Sequence, residues 1–492
     1  MPDGDLVVRS GNRLLPDPSR VVARLFVPGQ ELAGGSEPRA TVVARRVLAL
    51  DEADVERALA DVLRRFDARH RTLRDTFRHH ADRISGHLAD HDLSEARRLL
   101  LGATFTHEYA IEGAALCNPS TVAAPDQRDA PEGGLRFVMS VRGIGEGHRS
   151  SVGFRTGTVH ADGTATVDVA GPRPRVGNVT TGSLDRDAFH GKLLELGEDG
   201  ESAAYVLDHL DDTFGPDDLE RGLLRLRAQH DTRRNAEDTI RRLRTIAARS
   251  YTTRFPPDTA LSERVLWPAT TAESHGMEDA RFVRFVDDDG TVTYYATYTA
   301  YDGTAITQQL LETSDFVTFA ASPVVGLAAA DKGLALFPRR IGRRFAALSR
   351  YDHQTNSIAF SDNPRRWESA VPLQLPRQAW ESIQLGNCGS PLETDEGWLV
   401  LTHGVGPLRT YSIGAVLLDL DDPTQIIGSL TEPLVSPAPD EQDGYVPNVV
   451  YSCGGLVHGD TLVIPYGIAD TSIGIATVPL RDLMTAMDRP AS

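Results

Sequence analysis

The sequence predicts a mainly β fold, a five-bladed β-propeller with an N-terminal α/β-helical extension and a helical insertion between the first and second blades. Three observations predict it. A strand-turn-strand pattern recurs five times, two helical blocks interrupt the chain, and 492 residues exceed the usual size of one simple core. Sheets that cannot bury both faces alone stack radially around a channel, so five repeats predict five blades. A β-sandwich of loosely similar strands is the competing arrangement.

Residues 1–104 read as a mostly helical extension. It opens on two Val-rich stretches, Arg20 to Val27 and Ala40 to Leu48, that predict short strands. From Asp51, the apolar residues Val55, Leu59, Val62, Leu63 and Phe66 follow the three-and-four spacing of one helical face. Residues 105–180 predict the first blade, running from Asn118-Pro119-Ser120 through 135–142 to 152–155. Residues 185–250 predict the helical insertion, with a helix start at Pro216-Asp217-Asp218 and a solvated Arg-rich face at Arg241, Arg242 and Arg244.

Residues 270–480 predict blades two to five. Glu278-Asp279-Ala280-Arg281 opens the second, Lys332-Gly333-Leu334 the third, Gly386-Asn387-Cys388 the fourth and Val446-Pro447-Asn448 the fifth. Each is followed by apolar strands that end in polar side chains, such as Trp398 to Gly404 and Thr461 to Asp470.

Composition narrows the function. Hydrophobic residues make up 40% and charged residues 24%, an ordinary globular balance. A net charge of −18 argues against nucleic acid or an anionic membrane as partner. The start, Met1 to Arg9, has no apolar core of a signal peptide, and no run of about 18 apolar residues occurs, so a cytoplasmic location is expected. Cys117, Cys388 and Cys453 are too few and too far apart for a disulfide framework and read as reduced thiols. No HExxH helix or EF-hand loop is present, so neither a metal nor an organic cofactor is expected. The helical regions leave a homo-oligomer open.

In a propeller, equivalent strand ends meet at the channel mouth. Here those ends are Asn118, Arg142, Asp279, Arg281, Asp302, Lys332, Arg350, His403, Asn448 and Asp470. Amides and carboxylates suit sugar hydroxyls, and cations suit an anion such as phosphate. Read alone, Asp279 also fits a turn aspartate paired with Arg281, and His403 a satisfied strand histidine.

The motifs Glu278-Asp279-Ala280-Arg281, Thr297-Tyr298-Thr299-Ala300-Tyr301, Leu336-Phe337-Pro338, Gly397-Trp398-Leu399 with His403-Gly404, Leu417-Leu418-Asp419 and Val446-Pro447-Asn448-Val449-Val450, with Asn118-Pro119, resemble glycoside hydrolase family 130. That family comprises β-mannoside phosphorylases and related β-mannosidases. Ala280 stands where the family usually has proline. The resemblance covers about residues 105–180 and 270–480; the two helical regions have no counterpart in shorter members.

The resemblance implies a five-bladed propeller and an inverting reaction with Asp279 as the acid, protonating the leaving oxygen through a hydroxyl of the bound mannose. It implies substrate contacts from Asn118, Arg142, Glu278, Arg281, Tyr301, Asp302, Asn448 and Asp470. It implies phosphate contacts from Lys332, Arg350, His403 and Tyr411, with inorganic phosphate as co-substrate and a mannose-containing oligosaccharide or conjugate as substrate. A lysine of the family's phosphate site is Gln384 here. Phosphorolysis needs one catalytic carboxyl group, whereas inverting hydrolysis needs a second about 6.5 to 9.5 Å away to activate water. Glu381 and Glu393 are candidates for that second role. A non-catalytic carbohydrate-binding propeller is the reading from a different class.

Overall fold

Alternation along the strands organises the chain. In Gly397–Val405 every residue is buried, and successive side chains face opposite neighbours. Trp398 and Val400 pack with Phe337 and Leu348, while Leu399 and Leu401 pack with Ile464 and Val478. A computed structural model describes residues 6–28, 38–85, 93–228 and 236–489. The fold is mainly β, in two compact units.

The larger unit takes in the chain up to Pro16, Ala114–Ala170 and everything from Val176. Its antiparallel strands follow the order of the sequence repeats. Ala115–Ala123, Leu135–Ile144 and Ser150–Val159 form the first group. Gly276–Val286, Val292–Tyr301, Ile306–Thr313 and Thr318–Pro323 form the second, and Tyr251–Arg254 and Asn178–Thr181 extend it. A single parallel pair, Gly276 with Ser150, joins the two groups into one 12-stranded sheet. Gly276 permits this approach, since its φ is +145° and a Cβ there would lie 2.2 Å from Ser150 Oγ.

A four-stranded sheet follows over Ala335–Leu336, Phe345–Ser349, Asn356–Ser361 and Ala370–Gln374. The next orders Gln384–Asn387, Gly397–Val405, Tyr411–Leu418 and Ile426–Ser429, with Leu392–Thr394 beside Gly397–Val405. The last contains Val450–Tyr451, Thr461–Ile468 and Ser472–Pro479, and its outer strand is Val8–Arg9 from the start of the chain.

Five apolar layers separate these groups. Phe154 meets Phe282 and Phe316 between the first and second groups, and Phe285 meets Phe345 between the second and third. Phe337 meets Trp398 between the third and fourth, and Leu417 packs with Ile464 between the fourth and fifth. Met139 and Val141 pack with Val463 and Ile475 between the first and fifth.

The insertion consists of helices Arg186–Glu195, Glu201–Leu207, Pro216–Arg227 and Ala236–Ala247 around Phe189, Val206, Phe214, Leu223 and Ile240. Asp218 caps the third by accepting from Gly215 N at 2.8 Å. The Arg-rich face is an ion-pair surface: Arg244 bonds Glu220, and Arg242 bonds Glu198 and Asp238.

The smaller unit, Asp17–Gly113 with Gly171–Arg175, pairs Val21–Leu25 with Thr106–Ala110 and holds helices Arg39–Leu48, Glu52–Phe66, Leu73–Ser85 and Glu95–Thr104. The strand expected at Ala40 to Leu48 is therefore a helix. Ala40, Ala44 and Val47 fall at helical spacing and are the residues it buries, which outweighs the β preference of its valines.

Candidate active site at the strand ends

Two inner strands carry the same irregularity. Ala115–Ala123 bulges between Cys117 and Ser120, and Gly276–Val286 bulges between Glu278 and Arg281. Inside the bulges Asn118 and Asp279 have φ of +47° and +52°. Left-handed backbone costs an L-residue roughly 1–2 kcal/mol, and Asn and Asp bear it best. Asn448 at +63° and Asp470 at +49° share the conformation. Such bulges break the two-residue alternation and re-aim a side chain, which is how Glu278 and Asp279 come to serve one cluster.

Glu278 and Asp279 sit among cations. Arg142 Nη2 donates to Glu278 Oε1 at 2.6 Å, and Lys332 Nζ donates to Oε2 at 2.9 Å. Asp279 Oδ1 lies 4.0 Å from Arg142 Nη1 and Oδ2 lies 3.6 Å from Arg281 Nη2. Arg281 is held by Asp279 O at 2.9 Å, Cys388 O at 3.0 Å and the Tyr451 hydroxyl at 2.7 Å. Burial pushes the Asp279 carboxyl up, but the charges of Arg281, Lys332, Arg142 and Arg350 outweigh it and hold the group below its ordinary range. Asp470 goes the other way: burial raises it, Asp279 adds to the rise, and Arg142 offsets only part.

A second cluster centres on Arg350. Its Nη2 donates to Asp331 Oδ2 at 3.3 Å, and Asp331 also holds His353 at 2.8 Å. Arg350 Nη1 lies 3.1 Å from His403 Nε2, and His403 Nδ1 lies 3.2 Å from Asn387 O. A carbonyl at Nδ1 assigns the proton there, leaving Nε2 to accept from Arg350. Burial, then Arg350 and Arg281, push His403 well below its usual titration range, so it is a neutral group that orients Arg350 and not a cation. Gln384 Nε2 reaches the same imidazole at 3.5 Å, and Tyr411 stacks on it at a centroid distance of 6.3 Å. Gly386 makes the crowding possible: a Cβ would lie 2.5 Å from His403 Cε1 and 2.9 Å from Arg350 Cδ.

Other expected residues hold local structure. Asp302 is exposed and accepts from Thr304 N at 2.8 Å and Ala305 N at 2.7 Å, closing the turn between two strands. Tyr301 donates to Gly303 O at 2.9 Å. Asn118 Oδ1 is 3.5 Å from Arg142 Nη1, and Asn448 offers its carbonyl to Tyr411 N at 2.9 Å. Asp331 and Tyr451, which the sequence reading missed, each anchor an arginine of the site. Each lies within three residues of a residue it named, Lys332 and Asn448.

The two candidate second carboxylates are occupied elsewhere. Glu381 Oε2 is buried and accepts from Arg377 N at 2.8 Å and Gln378 N at 3.0 Å, and Glu393 is paired with Arg339 at 2.7 Å. The three cysteines are buried and unpaired, and burial raises their thiols. Among the described residues no three His, Cys, Asp or Glu side chains gather as a metal-ligand set.

Comparison with known proteins bears on this site. The family model described as beta-1,4-mannooligosaccharide phosphorylase matches residues 245–489. A 1,2-beta-oligomannan phosphorylase of Thermoanaerobacter sp. is 36% identical over 230 residues, which are 45% of this chain and 75% of the relative. A beta-1,2-mannobiose phosphorylase of Listeria innocua is 29% identical over 235 residues, 45% of this chain and 63% of the relative. A solved complex of a Listeria innocua beta-1,2-mannobiose phosphorylase with β-1,2-mannobiose aligns over 76% of this chain and 92% of that one, at 19% identity and a TM-score of 0.44. With more than two thirds of the first relative matched at this identity, the chain belongs to glycoside hydrolase family 130.

Proposed function

We propose that this chain is an inverting β-mannoside phosphorylase, transferring the terminal mannosyl unit of a β-mannooligosaccharide to inorganic phosphate to give mannose 1-phosphate and a shortened saccharide. The observation that carries it is the convergence of Arg281, Lys332, Arg142 and Arg350 on Asp279; of the other acids, Glu278 is tied to Arg142 and Lys332, burial and Asp279 push Asp470 up, and Glu381 and Glu393 are engaged in structure. Cations neutralise an anionic nucleophile, whereas a water nucleophile needs a second free carboxylate. The phosphorylase names of the relatives support the same reading.

In this reading Asp279 provides the proton that the leaving oxygen takes. Arg350, oriented by neutral His403 and Asp331, is the principal phosphate contact, with Lys332, Tyr411 and Gln384 beside it. Arg142, Glu278, Asn118, Asn448 and Asp470 hold the mannosyl ring, and Arg281 fixes the backbone and carboxylate of Asp279. Asp302 and Tyr301 shape the rim. An ionised Asp279 cannot act as the acid, so binding of a phosphate dianion, which offsets the surrounding cations, must favour its protonation. Phosphate is the only co-substrate required.

The scaffold in this reading is a five-bladed propeller. It is supported by five strand groups in sequence order and by apolar layers that pair each with the next and the fifth with the first. One cavity of about 370 Å³ is lined by Val122, Phe282, Leu392 and Leu456, from the first, second, fourth and fifth groups, and by Pro338, just beyond the first strand of the third. The N-terminal strand Val8–Arg9 then closes the last blade. A cytoplasmic location goes with the reading, because phosphorolysis retains the bond energy in a charged sugar phosphate.

The test is incubation of purified protein with β-1,2-, β-1,3- and β-1,4-mannobiose, with and without phosphate. Mannose 1-phosphate formed only with phosphate is expected. Free mannose at a rate indifferent to phosphate would make the enzyme a hydrolase.

A further inference from the structure

The insertion reaches the strand groups at both ends of its first helix, Arg186–Glu195. At the start, Asp185 caps the helix by accepting from Ala188 N at 2.8 Å and also accepts from Asn363 Nδ2 at 3.3 Å. Near the end the helix lies close on Val325, since a Cβ at Gly191 would stand 2.7 Å from Val325 Cγ2. At the last residue Glu195 Oε1 accepts from Gly326 N at 2.7 Å, while Lys192 Nζ donates to Glu195 Oε2 at 2.7 Å. A carboxylate on a backbone N–H is a charge-assisted bond, stronger than a neutral one.

Gly326 begins the segment that brings two residues to the phosphate cluster. Gly326 and Gly333, at φ of +102° and +99°, bound it in backbone that suits glycine. Between them a single tight turn, Leu327–Ala329, leads to Asp331 and Lys332. Asp331 holds Arg350 Nη2 at 3.3 Å, and Lys332 donates to Glu278 at 2.9 Å.

This segment has no ladder of its own and is fixed at separate points. Ala328 N donates to Trp367 O at 2.9 Å, Ser349 Oγ to Ala328 O at 2.6 Å, and Gln308 Nε2 to Asp331 O at 2.7 Å. Those partners come from the second and third strand groups and the connection within the third. The Gly326 N–H is instead taken by the insertion. A segment between two glycines that loses a fixed end must be ordered when its ligand binds, and that ordering costs affinity.

We infer that Glu195 is a positioning residue for phosphate: by fixing Gly326 it sets where Asp331 and Lys332 stand, and through Asp331 where Arg350 points. The helical insertion thereby raises the affinity of the enzyme for its anionic nucleophile. The inference rests on the phosphorylase reading.

The test compares KM for phosphate, KM for mannobiose in the linkage cleaved fastest, and kcat between wild type, Glu195→Ala and Glu195→Asp. The alanine removes the tether; the aspartate keeps a charge beside Lys192 but withdraws it from Gly326. Both variants are expected to raise the KM for phosphate at least about fivefold, with the KM for mannobiose and kcat within about twofold of wild type. An unchanged KM for phosphate in either variant would overturn the inference, as would an equal rise in both KM values, which marks a merely structural role. If wild type yields no mannose 1-phosphate from any mannobiose, the phosphorylase reading has failed. Hydrogen exchange then judges the tether by itself: faster exchange over residues 326–332 in Glu195→Ala keeps the positioning of Asp331 and Lys332, and equal exchange removes it.

Discussion

Asp279, in the bulge of an inner strand, and Glu381, in the turn just before one, are both buried carboxylates, yet their surroundings differ in kind. Glu381 accepts from two backbone N–H groups of its own turn. The pattern recurs: Glu273 accepts from Ala269 N and Thr270 N, and Glu441 from Ala438 N. Glu273 adds the hydroxyls of Tyr251 and Tyr298, and Glu441 that of Tyr466. Burial nonetheless lifts Glu273, because hydroxyls and amides offset desolvation less than charges do. Around Asp279 the partners are cations, and the carboxyl is held down. A buried acid is thus no mark of function. The marks here are a left-handed bulge that turns the side chain out of the strand and convergent charges from several sheets.

The largest test of that contrast is Asp279→Asn. Turnover should fall at least about a hundredfold with the fold retained, as measured by initial rates and thermal unfolding. Since the folded carboxyl titrates below its free value, it contributes stability that is present above about pH 4 and is lost as pH falls through the folded value. The variant should therefore unfold more easily than wild type at pH 7, with the gap closing in acid. Turnover like that of wild type would erase the distinction.

Next in size, Arg350→Gln should raise the KM for phosphate at least about tenfold through loss of a charge-assisted contact. Initial rates across a phosphate series check this, and an unchanged KM would move the anion elsewhere. For the contrasting acid, Glu381→Gln should cost about 1–3 kcal/mol in urea unfolding and leave turnover within twofold. An activity loss matching that of Asp279→Asn would instead make Glu381 the base of a hydrolase.

A subtler signature lies in pH. The carboxyl must be protonated to act, so activity is lost as pH rises through its pKa, which the four cations hold low in the free enzyme. Bound phosphate offsets them, and the alkaline limb of kcat should lie at higher pH than that of kcat/KM. Coincident limbs would mean that phosphate does not reach Asp279. The smallest effect belongs to the exposed pair: Glu393→Gln should change stability by less than about 1 kcal/mol and leave the rate alone.

Several features were legible in advance because they are local. The helix at Glu52–Phe66 announces itself by its apolar spacing, and the Arg-rich insertion helix by its solvated face. Of the residues named at strand ends, Asp279, Arg142 and Lys332 do meet, around Glu278, which the family motif supplied. Other features resist that reading. Arg39–Leu48 carries valines but is helical, because its buried stripe decides. Val8–Arg9 joins the last strand across more than 460 residues, and two residues carry too little pattern to say so.

By itself, then, the sequence determined the β-rich repeats, the helical interruptions, the family motifs and the identity of the acid to test. Tertiary structure decided the partnerships: Lys332 on Glu278, His403 neutral against Arg350, and Glu381 tied to its own turn. The reason is that strand periodicity is a property of neighbours in the chain, whereas protonation and pairing depend on the summed field of groups brought together from distant sheets. Arg142, Arg281, Lys332 and Arg350 set the state of Asp279 only once the fold has assembled them.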